Sequence, residues 1–200
     1  VEPEYQKKMN KRIQSRLRAA HLRGCPQELS NCIDSAEREY LPRGITETLA
    51  ALDFIDSGLN VCILGPSDSG KSYLAKALGI VACNNYKVEY HHCETLLETL
   101  VALKAQDYSK YQKRLKKICG AALLILDDFL LHTITDEREV KVLFEILEKR
   151  CEINLSTIIC SQREPASWSS MILNDEVSAN AIMKRATRHY TVVIKPLNNG

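Results

Sequence analysis

The segment from Gly65 to Ser72 constrains the fold of this chain more than any other feature. It reads Gly-Pro-Ser-Asp-Ser-Gly-Lys-Ser, which fits the pattern of a glycine, four further residues, Gly-Lys and then Ser or Thr. The apolar residues 61–64 predict a buried strand before it, and residues 73–82 have a helical pattern after it. A strand, a glycine-rich loop and a helix in this order present backbone N–H groups to phosphate. A Ser/Gly-rich surface turn is the alternative, and this context disfavours it.

The residue types in this loop each suit a bound nucleotide. The glycines let the backbone curl around the phosphates, Lys71 neutralises the β/γ charge, and Ser72 offers a hydroxyl to Mg²⁺. The residues expected to contact the nucleotide are Gly65, Pro66, Ser67, Asp68, Ser69, Gly70, Lys71, Ser72 and Tyr73.

Asp68 is unusual because it adds a negative charge to a loop that binds anions. Asp adopts left-handed backbone geometry more readily than most residues. We therefore expect Asp68 to replace a glycine sterically while its side chain points outward. A weaker affinity for the nucleotide is the alternative.

A second strand pattern ends in two acids. Residues 123–126 are apolar, and Asp127 and Asp128 follow them. We expect Asp127 to hold Mg²⁺ together with Ser72, and Asp128 to orient or polarise the attacking water. A turn or a helix cap is the alternative reading of the acid pair, which a phosphate loop about 50 residues upstream disfavours. Because the chain lacks the Asn-Lys-x-Asp signature of guanine recognition, the expected cofactors are ATP and Mg²⁺.

Five short runs predict the strands of a parallel sheet. They cover residues 61–64, 87–91, 123–126, 157–160 and 190–194. Helical patterns lie between them, notably at 140–151, where an apolar face opposes a charged one. This alternation predicts an α/β fold with helices on both faces of the sheet, and ligands then bind beyond the carboxyl ends of the strands.

The N-terminal part of the chain has a different pattern. Its apolar residues recur at helical spacing at Met9, Ile13, Leu17 and Ala20. Lysines and arginines lie beside them, so the pattern predicts a basic amphipathic helix that Gly24 and Pro26 end. With a linker at 41–44, the expected units are a basic helical segment at 1–40 and a core at 41–200.

Two basic helices are candidate nucleic-acid surfaces, although the net charge of +2 indicates nothing by itself. Seven Lys or Arg and no acids lie between Lys7 and Arg23, and a second basic helical pattern covers 108–118. Contacts to phosphates would be sequence-neutral and salt-dependent. The expected DNA contacts are Lys8, Arg12, Arg16, Arg18, Lys113, Arg114 and Lys117. A merely solvated basic face is the alternative for either helix.

Cysteine usage indicates the compartment. The eight cysteines form no Cys-x-x-Cys pair and mostly lie in apolar runs, which is typical of buried thiols in a reducing cytosol. No run approaches the length of a membrane span, so we expect a soluble cytoplasmic protein. The triplet His91-His92-Cys93 suggests zinc, but neighbouring residues of a strand point to opposite faces, which disfavours a shared ion.

Five stretches, in this order, resemble the IstB family of ATPases: GPSDSGKSYLAKALG, LLILDDF, LFEILEKRCE, STIICSQ and AIMKRATRHYTVVI. The resemblance covers about residues 8–195. It implies a P-loop ATPase of the AAA+ type that assembles as a homo-oligomer on double-stranded DNA and assists a transposase. ATP would be hydrolysed to ADP and phosphate between adjacent subunits. A replicative helicase loader of the DnaC group, and a nucleotide-gated DNA-binding switch with little hydrolysis, are the alternatives.

The resemblance also assigns residues. Ser161, with Gln162 beside it, would be the polar sensor of the γ-phosphate or the catalytic water, and a strand-ending turn is the other interpretation. Arg185 would be the arginine that a neighbouring subunit inserts against the phosphate, with Arg188 as the fallback and a solvated arginine as the alternative.

The chain departs from the family pattern at two positions. Asp68 and Leu130 stand where glycine is usual, which puts the hydrolysis rate in doubt. The chain also ends soon after the fifth strand, so we expect no C-terminal lid domain.

Overall fold

The apolar runs of the chain form the strands of one mixed sheet in a computed structural model, which describes residues 2–172, 176–187 and 189–197. The strands are β1 (Arg38–Leu41), β2 (Asn60–Leu64), β3 (Val88–His92), β4 (Leu123–Asp127), β5 (Ser156–Ser161) and β6 (His189–Pro196). Their spatial order is β1-β6-β2-β5-β4-β3. The five predicted strands are confirmed as β2 to β6, and the pairings among these five are all parallel.

Helices cover both faces of this sheet. They are α1 (Glu2–Ala19), α2 (Ile45–Ala50), α3 (Asp53–Asp56), α4 (Lys71–Ala82), α5 (Cys93–Gln106), α6 (Tyr108–Gly120), α7 (Glu137–Glu152) and α8 (Glu176–Ala186). One buried cluster joins α5 to α8 to one face, and a second joins α2 to α4 and the end of α1 to the other. The doubly covered α/β architecture is therefore as predicted.

The strand β1 was not predicted from the sequence. It pairs antiparallel with β6 at the edge of the sheet, with Arg38 opposite Pro196 and Leu41 opposite Val193. Only Tyr40 of its four residues is buried, so it lacks the apolar run that identifies a central strand. The strand crosses the expected boundary between residues 40 and 41, and it brings Arg38 to the phosphate loop.

The first helix ends earlier than its sequence predicts. α1 stops at Ala19, before Gly24, because His21 adopts a left-handed conformation with φ of 60° and turns Leu22 into the core. Arg16 attaches the helix to the end of α4, where its Nη1 donates to the carbonyl of Asn84 at 2.7 Å. A cation suits this position because a helix C-terminus carries partial negative charge.

Arg150 is a buried cation that joins three elements at the amino-terminal edge of the sheet. Its Nη1 donates to the carbonyl of Ile118 in the last turn of α6 at 3.0 Å and to that of Ala121, directly after α6, at 2.6 Å. Its Nη2 donates to the carbonyl of Ser156 at 2.5 Å. Its Nε donates to Thr157 Oγ1 at 2.9 Å. Burial lowers the pKa of Arg150 to about 10, so it stays charged at neutral pH.

Within the described ranges, no helix is both long and apolar enough to cross a bilayer. No disulfide joins any of the eight cysteines, all of which lie in the described ranges, and six of them are buried. The prediction of buried thiols is thus confirmed for most of them.

Candidate functional site

The loop between β2 and α4 has the curled backbone that its sequence predicts. Gly70 has a φ of 101° immediately before α4. At Gly65 a β-carbon would lie 2.6 Å from Ser69 Oγ and 2.8 Å from the carbonyl oxygen of Ile194. Glycine is therefore required at Gly65 for close approach and at Gly70 for its backbone angle.

Asp68 occupies the tip of this loop as expected. Its φ is 60°, in the left-handed region, and its side chain is exposed. Pro66 and Ser67 are exposed beside it, whereas Ser72 and Tyr73 are half-buried at the start of α4. The acid thus replaces a glycine sterically without entering the interior of the loop.

Lys71 lies buried at the base of the loop, and its Nζ donates to the carbonyl of Pro66 at 2.6 Å. Burial lowers the pKa of Lys71, although the negative charges of Asp127, Asp128 and Asp68 act in the opposite direction. The ammonium group therefore lies within the electrostatic reach of both acids at the end of β4.

Asp127 and Asp128 lie at the carboxyl edge of the sheet and differ in exposure. Asp127 is fully buried and accepts the backbone N–H of Asp128 at 2.9 Å on Oδ1. Its Oδ2 accepts the hydroxyl of Tyr90 in a short hydrogen bond. Asp128 is partly exposed, has a φ of 51°, and lies 3.2 Å from His92 Nδ1 through its Oδ2.

Tyr90 and His92 are site residues that sequence reasoning missed. They occupy alternate positions on β3, which pairs in parallel with β4 so that His92 lies opposite Asp127. Burial, together with the hydrogen bond to Asp127, raises the pKa of Tyr90, so its hydroxyl stays protonated and acts as a donor. The sequence does indicate a strand at 88–92, in which residues two apart share a face. That pattern identifies Tyr90 and His92 as site residues only once β3 is known to lie beside β4.

The acids can hold a metal ion together with His92. His92, Asp127 and Asp128 each offer one ligand atom, and these three atoms lie within 4.8 Å of one another. The other members of the His91-His92-Cys93 triplet point elsewhere: His91 contacts Glu89 at 2.5 Å, and Cys93 is buried at the start of α5. Carboxylate and hydroxyl oxygens are the ligands that Mg²⁺ prefers, so Asp127 and Ser72 fit that ion chemically.

Ser161 is the last residue of β5, which lies between β2 and β4, and Gln162 follows it. The Ser161 hydroxyl is buried, donates to the carbonyl of Phe129 at 2.8 Å and accepts the N–H of Arg163 at 3.1 Å. Gln162 is exposed beside it. Ser161 thus fixes the loop that follows Asp128, in which Leu130 has a φ of 53° where glycine would carry no strain.

Arg38 reaches the phosphate loop from β1. Its Nη1 donates to the carbonyl of Ser69 at 3.2 Å and lies directly against Gly70. This cation at the loop had no signal in the sequence, because the strand that carries it was not predicted.

Arg185 lies at the amino edge of the sheet, at the opposite end of β2 from the phosphate loop. Its backbone carbonyl accepts from the side chain of Asn60, the first residue of β2, at 2.8 Å. Its guanidinium contacts Glu148 at 3.2 Å and lies 4.9 Å from the ring centre of Phe144, both on α7. Arg188, the fallback candidate, falls outside the described residues.

The seven residues expected to contact DNA fall into two groups. Lys8, Arg12, Arg18 and Lys113 are exposed. The other three contact other elements of the fold, although Lys117 is exposed as well: Arg16 binds carbonyls at the end of α4, and Arg114 and Lys117 each lie 3.5 Å from the buried carboxylate of Glu89. The structure brings both basic helices to the same edge of the sheet, beside β3.

Comparison with known proteins gives a consistent assignment. The family model described as IstB-like ATP binding protein matches residues 1–198. An insertion-sequence ATP-binding protein of Sinorhizobium fredii, y4uH, is 40% identical over 177 residues, which are 88% of this chain and 68% of that protein. The IS21 ATP-binding protein of Pseudomonas aeruginosa is 32% identical over 76% of this chain, which spans only 56% of that relative.

Solved structures resemble the fold. The DnaC helicase loader has a TM-score of 0.66 at 19% identity, with 86% of this chain and 98% of that chain covered. AMPPCP-bound DnaA from Aquifex aeolicus has a TM-score of 0.68 at 20% identity, with 88% of this chain and 52% of that chain covered. At this level of identity the likeness concerns the AAA+ fold alone.

Proposed function

The chain belongs to the family of IstB-like ATP-binding proteins, and we propose that it is an ATPase that binds and remodels double-stranded DNA to assist a transposase. The observation that carries this proposal is the meeting of three groups at the carboxyl edge of the sheet. The phosphate loop presents Lys71, and the end of β4 presents Asp127 and Asp128, whose charges act on that lysine. A cation for the phosphates and a carboxylate for water are the groups that ATP hydrolysis requires.

The roles of the two acids follow from their surroundings. Asp128 is partly exposed and can accept a hydrogen bond from the attacking water, while Asp127 is buried and fixed on both oxygens. Asp127 and Ser72 would hold Mg²⁺, which when bound neutralises charge on the β- and γ-phosphates. Tyr90 and His92 would keep the two carboxylates in place.

The position of Arg185 supports a site between subunits. Its backbone lies at the beginning of β2, whereas the phosphate loop begins at the end of that strand. Five residues rising about 3.3 Å each separate these points. Arg185 is therefore better placed to reach the nucleotide of a neighbouring copy. To do so, its guanidinium would leave Glu148 and bind the phosphate instead.

Two other functions have specific support. Asp68 at the loop tip and the pairing of Arg185 with Glu148 favour a nucleotide-gated DNA-binding switch with little hydrolysis. The fold of the DnaC helicase loader favours a replicative helicase as the partner, whereas the insertion-sequence relatives favour a transposase.

The test is ATP turnover with and without duplex DNA, for the native chain and for Lys71→Ala and Asp128→Asn. We expect DNA to stimulate turnover. Loss of Asp128 should lower turnover about 100-fold or more, as removal of a group that positions water does, and Lys71→Ala should weaken nucleotide binding as well. Lys184→Ala, an exposed lysine on α8, is the control and should behave like the native chain.

The opposite outcome is equally informative. Absence of turnover in the native chain, with DNA binding that still depends on ATP, would reject the ATPase and favour the switch. Turnover that survives Asp128→Asn would reject the role given to that acid.

A further inference from the structure

A groove of about 510 Å³ runs along the exposed edge of β3, between α1 and α6. Its lining includes Arg16, Lys87, Lys113, Lys116 and Lys117, and Glu89 forms part of its floor. Of the described residues that line it, Glu89 is the only acid. The two basic helices, separate in the sequence, thus face one another across a single strand.

Glu89 is an unusual carboxylate because it is buried at 2% exposure in a basic groove. Its Oε2 lies 2.5 Å from His91 Nε2 and 3.5 Å from Arg114 Nη2, and its Oε1 lies 3.5 Å from Lys117 Nζ. Burial acts to raise the pKa of Glu89, but His91, Arg114 and Lys117 together hold it below its usual range. The floor therefore carries one fixed negative charge surrounded by cationic groups.

Further lysines lie around Glu89, and their side chains are exposed. Lys87, Lys113 and Lys116 lie on both sides of the groove, and Ser15 at its border also belongs to the outer face of α1. That face continues the positive charge through Lys7, Lys8, Lys11 and Arg18, and the acid on it, Glu4, lies 3.8 Å from Lys8. An 18-residue helix is about 27 Å long, so the positive surface is an extended one. It suits a polymer with regularly spaced negative charges.

We propose that this groove holds the sugar-phosphate backbone of duplex DNA and that Glu89 occupies the place of one phosphate at its floor. The inference rests on the DNA binding of the proposed function and names its surface. Glu89 pairs with Lys117, which lines the groove, and with Arg114, and its negative charge repels the bound strand. That repulsion offsets part of the attraction from Lys87, Lys113 and Lys116 and so keeps binding reversible, as remodelling requires.

The proposal is tested by fluorescence anisotropy of a labelled mixed-sequence duplex, titrated with the 200-residue chain over a salt series. For Lys113→Ala/Lys116→Ala the slope of log affinity against log salt should fall by about 2 in magnitude, with a loss of affinity of roughly tenfold or more. The matched control, Lys104→Ala/Lys141→Ala, removes two lysines from α5 and α7 outside the groove and should leave the slope unchanged.

Glu89→Gln is the more specific variant because it should strengthen binding. Removing the charge frees Lys117 and Arg114 for phosphate, so affinity should rise several-fold and the slope should increase by about 1. Circular dichroism at the assay temperature verifies that this variant is folded. A folded Glu89→Gln chain with unchanged or weaker DNA affinity would overturn the role of Glu89.

Two further outcomes would overturn the groove itself. If Lys113→Ala/Lys116→Ala binds DNA as the control does, the duplex lies elsewhere, and the proposed function stands without this surface. If the native chain prefers single-stranded RNA, the assignment of DNA is wrong. A native chain that hydrolyses ATP but binds no duplex at any salt concentration would instead reject the DNA part of the proposed function.

Discussion

Tyr90 and His92 hold the two acids of the candidate site from the neighbouring strand. The carboxylate of Asp127 is fully buried, and a buried charge of this kind needs hydrogen bonds on its oxygens. The hydroxyl of Tyr90 and the N–H of Asp128 supply one each. The orientation of Asp127, and through it the proposed Mg²⁺ site, therefore depends on a tyrosine outside both sequence motifs.

Tyr90→Phe removes this hydroxyl and leaves the ring in place. We expect the Mg²⁺ concentration for half-maximal ATP turnover to rise about tenfold or more, because groups behind a metal ligand typically contribute that much to affinity. The measurement is a Mg²⁺ titration of turnover, with Tyr108→Phe, an exposed tyrosine on α6, as the control. If Tyr90→Phe has the same Mg²⁺ dependence as the native chain, Tyr90 does not position Asp127, whether or not kcat has fallen.

The residues of the site differ in how far the sequence predicts them. Lys71 and Asp127 lie in sequence motifs, and the residues around each motif also predict the strand, loop or helix that positions it. Asp68 was predictable because its backbone preference is local. Tyr90 and His92 were not, since their contacts depend on the order of strands across the sheet, which local patterns do not encode.

Arg150 links α6, α7 and β5 through buried hydrogen bonds. Loss of its side chain would leave the carbonyls of Ile118, Ala121 and Ser156 without these donors. Each buried carbonyl without a partner costs on the order of 1 kcal/mol or more. The end of the basic helix α6, and with it one side of the groove, is thus fixed by a cation on α7.

Arg150→Met should lower the free energy of unfolding by about 3 to 5 kcal/mol, since several buried acceptors lose their donor at once. Urea denaturation monitored by circular dichroism measures the change. Lys149→Met, which removes an exposed pair with Glu145, is the control and should cost less than about 1 kcal/mol. A loss below about 1 kcal/mol for Arg150→Met would contradict the bridging role, because it would mean that the carbonyls find other partners.

Central and peripheral elements also differ in predictability. β2, β4 and β5 are buried on both faces, so the residues at their centres are apolar and identify the strands directly. β1 has one buried residue and forms because β6 offers an unpaired edge. The end of α1 was likewise set by packing, through Leu22, and not by the glycine that the pattern indicated.

The sheet as a whole separates the two halves of the proposed catalytic machinery. The phosphate loop and the acids lie at its carboxyl edge, and Arg185 lies near its amino edge beside Asn60. A single copy therefore does not bring Arg185 to its own nucleotide in this arrangement. The proposed hydrolysis follows from assembly, in which each site takes its acids from one subunit and its arginine from the next.

Mixing two inactive variants tests this account most directly. Asp128→Asn and Arg185→Ala should each be nearly inactive alone, and equal amounts mixed with ATP and duplex DNA should regain turnover. In a head-to-tail assembly about a quarter of the interfaces then combine an intact Asp128 with an intact Arg185, so recovery should approach a quarter of native turnover. Mixtures no more active than either variant alone would contradict an active site shared between subunits.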